Sequence, residues 1–322
     1  MIVSDTVHGR LDVSDSFLLE LMNSKPVQRL KGVALAGALP LVYPLRNITR
    51  FDHSLGVMLL LRKYHASLEE QASGLLHDVG HSAFSHVIDL VYKEYNHNFD
   101  DAHWDKIVEN SEIPSIAKKY NIDWKKLGEK ENFSLLEQPL PKLCADRLDY
   151  SCREMNISFP KKGSFYSDQL TVQNGFFAFR DKDIAKDFVL DFIQTSLDSW
   201  AHPVSHASCQ ILAKAIRLCL EERAVSESDL SLTDRDFLAQ LKKVPNSEVQ
   251  RLLSLLTPNL RIKLDENDYD FFSKDKPRVV DPFVLVENSK LVPISKLDEE
   301  AEQVIQNRTE EMEKGLYIKI LN

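Results

Sequence analysis

The sequence predicts a mainly α protein with a β-hairpin insertion and a small C-terminal α+β region. Apolar residues recur at helical spacing through most of residues 14–156. The period then shortens to alternation in QLTVQNGFFAF at 169–179. Beyond Pro258, short alternating runs (RIKLD, PFVLVE, KLVPIS, GLYIKIL) surround a single further helix at about 297–313. These changes divide the 322 residues into a core at 1–160, the hairpin with a helical continuation at 161–257, and the α+β region at 258–322.

Each element has a local reason. From Ser54 to Tyr64, residues Leu55, Met58, Leu59 and Arg62 fall at helical spacing, with His53 at the start. After a break at His65–Ser67, Ser67 and Glu70 form a capping box for LEEQASGLLHD, whose buried stripe is Leu68, Ala72, Leu75 and Leu76. Gly80 is placed to cap that helix, leaving His77 and Asp78 in its last turn, and a third helix is expected from His81 to Tyr92. A helix over about 142–156 puts Asp146, Asp149, Tyr150 and Arg153 on one face. Asn174-Gly175 suits a type I′ hairpin turn. Helices follow at about 183–222, 234–242 and 247–255, the last capped by Asn246, and 265–277 reads as a linker or loop.

Composition narrows the function. Hydrophobic residues at 43% and charged residues at 28% are those of an ordinary globular protein. The longest apolar run, VMLLL at 57–61, is far too short for a bilayer, and MIVSDTVHGRLDV has neither the basic start nor the apolar run of a signal peptide. A cytoplasmic location with no membrane partner is the expectation. Cys144, Cys152, Cys209 and Cys219 form no metal knuckle or disulfide framework and read as reduced thiols. A net charge of −9 disfavours nucleic acid as a partner.

Five of the ten histidines lie between His77 and His103, the first fused to an aspartate in GLLHDVGHSAFSH. With His53 in RFDHSLG and Asp146 in CADRLDY they give two imidazoles and two carboxylates, a set suited to a divalent Mn, Fe, Ni, Co or Zn ion more than to Mg alone. Four protein ligands leave an octahedral ion open to water and a phosphate oxygen, as a hydrolase requires. Asp52 and Asp149 are the carboxylates near enough in sequence to orient the imidazoles.

This pattern resembles the HD-domain phosphohydrolase superfamily, and within it the deoxynucleoside triphosphate triphosphohydrolases. The likeness covers SDTVHGRLDV, KPVQRLKGVALAGALPLVYP, RFDHSLGV, HDVGHSAFSH, ADRLDY with Arg153, WAHPV at 200–204, and KPRVVDP with PIS. The resemblance implies a helical HD core, with His53, His77, Asp78 and Asp146 as metal ligands and a nucleotide or other small phosphate ester as substrate. It implies His81 and His86 near the phosphate, and Asp89 orienting a further histidine that protonates the leaving oxygen. That histidine is His97 or His103, with His103 favoured by its distance from Asp89. Arg50 would neutralise a phosphate oxygen, and Arg147, Asp149, Tyr150, Arg153, Glu154 and His202 would complete the substrate contacts. Asn23, Gln28 and Lys31 stand where the family has an allosteric nucleotide site, and a homo-oligomer is implied.

Departures from the family bear on the substrate. Arg147 replaces a lysine that grips the triphosphate, and no lysine or arginine occurs between Lys186 and Lys214, where a second cation is expected. The weakened grip favours a mono- or diphosphate, and a cation restored by Phe192→Arg or Gln194→Arg is expected to favour triphosphates. The alternative is a metal-holding nucleotide sensor with little turnover.

Overall fold

The computed structural model describes residues 1–92, 99–274 and 277–321. The helix carrying His53 runs Arg50–Lys63 and lies at the centre, packed against the Leu68–Leu76 and Ala145–Ser158 helices. It is buried on almost every side, from His53 and Ser54 through Gly56–Leu61, as a helix in the middle of a core must be. Thr49 starts it. The Thr49 hydroxyl accepts from Asp52 N, and the Asp52 carboxylate accepts from Thr49 N. Asp52 is therefore spent on the cap at the surface and does not orient an imidazole.

The next helix also starts as the sequence predicts, with Ser67 accepting from Glu70 N at 3.1 Å. The box is only half formed, because the Glu70 carboxylate is turned inward to accept from Leu135 N at 2.7 Å and Leu136 N at 3.1 Å. Its end differs from expectation: the helix stops at Leu76, with His77 as its αR cap, and Gly80 does not take up the left-handed conformation. The helix expected from His81 begins only at Val87 and runs to Val91. Residues 81–86 form turns in which Phe84 and Ser85 both hold positive φ, 59° and 50°. Such a pair cannot belong to a right-handed helix.

The strands are β1 (Ile2–Asp5), β2 (Gly9–Asp12), β3 (Leu170–Gln173), β4 (Phe176–Phe179), β5 (Ile262–Leu264), β6 (Phe271–Ser273), β7 (Phe283–Val286), β8 (Lys290–Pro293) and β9 (Leu316–Ile320). β1 and β2 form an N-terminal hairpin that the sequence reading missed. In the β3–β4 pair Gln173 faces Phe176, so Asn174 (φ 52°) and Gly175 (φ 76°) make the two-residue turn. These two strands do not stand alone: β7 runs parallel to β4 and β8 antiparallel to β7. β6, inside the segment read as a linker, pairs with β9, which also pairs with β5.

The helices after the hairpin are Lys182–Asp198, Pro203–Glu221, Asp234–Leu241 and Ser247–Leu255, the last capped by Asn246, which accepts from Glu248 N and Val249 N. The Glu299–Lys314 helix packs on Lys182–Asp198. The cysteines are free. Among the described residues no helix is long and apolar enough to cross a membrane.

Candidate active site

Three elements converge on one spot. The Arg50–Lys63 helix brings His53, the turn after Leu76 brings His77 and Asp78, and the first turn of Ala145–Ser158 brings Asp146. His53 Nε2 lies 3.0 Å from Asp146 Oδ1 and 3.3 Å from His77 Nε2. His77 Nε2 lies 3.4 Å from Asp78 Oδ1 and 3.6 Å from Asp146 Oδ1. The second Asp78 oxygen is 3.9 Å from His53 Nε2.

The donors around this spot show what it is built to hold. His77 donates its Nδ1–H to Gly74 O at 2.7 Å, and His53 Nδ1 donates to Asp149 Oδ2 at 2.8 Å. Each imidazole therefore turns the lone pair of Nε2 toward the other and toward two carboxylates. His53 Nε2, His77 Nε2 and an Asp146 oxygen lie close enough together to hold one ion, with Asp78 beside the two imidazoles, and two lone pairs facing a carboxylate fit a divalent cation. A proton serves the same need: burial opposes the charge on His53, but Asp146, Asp149 and Asp78 push it up to about 9. Against burial, Arg50, His77 and His81 hold the Asp78 carboxyl well below its ordinary range, and His53 and His77 do the same for Asp146. Both carboxylates are thus favoured in the charged form that a metal ion requires of its ligands.

Arg50 sits beside the set, 3% exposed, donating from Nη1 to Asp78 Oδ2 at 2.7 Å and from Nε to Ser85 Oγ at 2.7 Å. Its Nη2 is buried without a hydrogen-bond partner. The left-handed turn explains the placement, since Ser85 also donates to Ala34 O and so ties Arg50 to the wall. His81 Nε2 is 3.3 Å from Asp78 Oδ1, and its ring meets the His86 ring edge-on at 5.0 Å. Asp89, expected to orient a later histidine, pairs with His86 Nδ1 at 3.1 Å. His103 lies on the Phe99–Glu109 helix and does not line the substrate cavity, and His97 is outside the described residues.

A cavity of about 410 Å³ opens over His53, His77, Asp78 and Asp146. Of the expected substrate contacts, Arg50, Arg147, Tyr150 and Glu154 line it, together with His81 and His86. Arg147 is already committed, donating to Lys142 O, Gln138 O and Cys144 Sγ. Glu154 accepts from Arg46 Nη1 at 2.5 Å. Asp149 and Arg153 do not reach the cavity: they are 0% and 5% exposed, and Arg153 grips Asp149 behind His53. His202 is also off the cavity wall, where its Nδ1 accepts from Val204 N as a helix cap. Asn23 and Gln28 donate to Leu19 O and Met22 O, and Lys31 lies over the Phe51 ring, all away from the cavity.

Sequence reasoning missed several cavity residues. Trp200 meets Tyr150 edge-on at 5.4 Å, and its buried Nε1 has no hydrogen-bond partner. Lys130, His206 and Arg278 also line the space. Trp200 stands within WAHPV and Arg278 within KPRVVDP, two runs that did carry the resemblance. Phe192 is 0% exposed in the core, and neither it nor Gln194 lines the cavity, so neither is a place for a phosphate-binding cation.

Residues 50–153 match the family described as HD domain. Over all of its length the chain is 36% identical to the uncharacterized protein YdhJ of Bacillus subtilis, spanning 99% of that protein. It is also 30% identical to the metal-dependent phosphohydrolase cns2 of Cordyceps militaris, over 80% of this chain and 77% of the relative. The chain belongs to the HD-domain metal-dependent phosphohydrolases. A phosphohydrolase from Bacteroides thetaiotaomicron has a similar fold, with a TM-score of 0.72 over the whole of both chains at 16% identity. Membership makes this HD-domain protein a hydrolase that uses a divalent metal.

Proposed function

We propose that this phosphohydrolase cleaves a phosphate ester of a nucleotide, with the scissile phosphate seated between Arg50 and the His53, His77, Asp78 and Asp146 set. The carrying observation is Arg50 Nη2, a buried guanidinium nitrogen on the cavity wall that has no partner while its neighbours Nη1 and Nε do. An unpaired buried donor of this kind is costly unless an anion completes it. His53, His77, Asp78 and Asp146 would hold a divalent ion, which would supply Lewis-acid polarisation of the phosphate and lower the pKa of water. His81 and His86 face the same space, and His86, held by Asp89, is placed to pass a proton to the leaving oxygen. Tyr150 and Trp200 form an aromatic wall fit for a sugar or base. The resemblance to nucleotide triphosphohydrolases agrees with that wall.

Cations beyond Arg50 bear on phosphate number. Arg147 braces the 138–142 loop, but Arg278 lies exposed at the same rim, where Asp281 N donates to Pro141 O at 2.9 Å. Burial pushes the Tyr150 hydroxyl up to about 12, and the nearby charges of Arg278 and Arg147 pull it the other way. A nucleotide with more than one phosphate thus has a cation available from the C-terminal segment. The test is a panel of nucleoside mono-, di- and triphosphates incubated with the Mn-loaded protein, with products resolved by chromatography. Arg50→Gln should lose at least about tenfold in kcat/KM, the scale of one charge-assisted hydrogen bond. Full activity of Arg50→Gln would remove the phosphate from this position.

A further inference from the structure

We propose that His8, in the turn between β1 and β2, is a positioning residue for the metal centre, acting through Asp149 on His53. Neither His8 nor Asp149 lines the cavity, and both side chains are fully inaccessible. His8 Nε2 lies 2.7 Å from Asp149 Oδ1, while Asp149 Oδ2 receives His53 Nδ1 at 2.8 Å. A carboxylate only accepts, so both imidazole nitrogens facing it carry hydrogens. In the neutral ring that a metal would bind, His53 then presents its Nε2 lone pair toward His77 and Asp146. A neutral His8 ring then has Nδ1 free to accept from the Ser167 hydroxyl at 2.8 Å, whose oxygen in turn accepts from Lys63 Nζ at 3.3 Å.

Two further features show that the arrangement is built around this contact. Asp5 shapes the turn that presents His8, its Oδ1 accepting from Val7 N and His8 N at 2.8 Å each. Its Oδ2 receives Arg153 Nη2 at 2.7 Å, and Arg153 also clamps both oxygens of Asp149. The space for these groups exists because residue 56 is glycine. A Cβ there would stand 1.8 Å from Arg153 Nη2 and 2.0 Å from Asp149 Oδ1. The N-terminal hairpin is thus tied to a metal ligand by two residues, across 141 positions of sequence between His8 and Asp149. Groups that orient a ligating histidine through its second nitrogen commonly change metal affinity 10–100-fold when removed.

The inference concerns the metal centre and stands whichever ester is hydrolysed. It is tested with Mn²⁺ alone, by competition against a chelator, on the full chain. His8→Leu keeps the bulk of the side chain but cannot donate, and should lower affinity at least about tenfold. His8→Gln carries an N–H able to reach Asp149 and should recover most of that loss. Helical circular dichroism of the metal-free variants separates a loosened site from a lost fold. In the unmodified protein, Mn²⁺ should slow hydrogen exchange at the amides of Val7 and His8, a readout that needs no variant. A folded His8→Leu with wild-type affinity overturns the proposal, as does unchanged exchange in the turn when the site fills.

Discussion

Asp78 and Asp149 illustrate how two buried carboxylates in one site take different tasks from their neighbours. Asp78 turns its oxygens to His77, His81 and Arg50 on the cavity side, whereas Asp149 is enclosed by His53, His8 and Arg153. Removing either should loosen the metal, but by different routes. Asp78→Ala removes the carboxylate proposed as a ligand and releases Arg50, so metal binding and turnover should both be lost with the helical fold retained; full activity at saturating Mn²⁺ would exclude Asp78 as a ligand. Gly56→Ala should do more general damage, about 1–3 kcal/mol of stability, because its Cβ cannot be accommodated without displacing Arg153 or Asp149. A denaturant midpoint equal to wild type would contradict it. The convergence of His53, His77, Asp78 and Asp146 was legible in the sequence because His77 and Asp78 are adjacent and short motifs flank the others. Asp149 as a carboxylate orienting an imidazole was legible too. The roles of Asp52 and His8 were not, since proximity along the chain does not tell a helix cap from an orienting carboxylate, and His8 meets its partner only through tertiary packing.

Among the elements, helices announced by caps and apolar periodicity form where the sequence places them, from Ser67 to Asn246. The failure lies at 81–86. There the apolar spacing suits a helix, but Phe84 N donates to Asp234 Oδ1 and Ala83 N to Leu230 O, contacts from far along the chain that hold the turn open. The turn's strained backbone is what places Ser85 against Arg50. A different tertiary effect reverses the expectation for Phe192→Arg. Its ring packs with Phe188 and Trp200 at full burial, so the new guanidinium would be an unpaired charge in an aromatic core. The variant should unfold more readily than wild type and gain nothing on triphosphates. Selective improvement of triphosphate turnover in a stable Phe192→Arg would show that the side chain turns toward the cavity instead.

At the scale of the whole molecule, the C-terminal segment is sealed into the same cores as the helices that carry His53 and Asp146. Ile318 packs with residues of the Pro203–Glu221 helix, and Val280, Val284, Ile294 and Ala301 pack with Phe188, Phe192 and Leu148. A change of period revealed that strands occur there but not that β7 pairs with β4, because strand partners a hundred residues apart leave no local trace. This packing brings Arg278 to the rim of the cavity, with no hydrogen bond or ion pair to it among the described residues and with Arg147 already committed to backbone carbonyls. If Arg278 serves the phosphates beyond the scissile one, its loss should discriminate by charge. Arg278→Gln should raise KM for nucleoside di- and triphosphates about tenfold, near the cost of one charged hydrogen bond, while leaving monophosphates and Mn²⁺ affinity unchanged. Parallel loss on all three substrate classes would instead make Arg278 a support for the fold, and no loss on any would leave the further phosphates to other groups at the rim, such as Lys130.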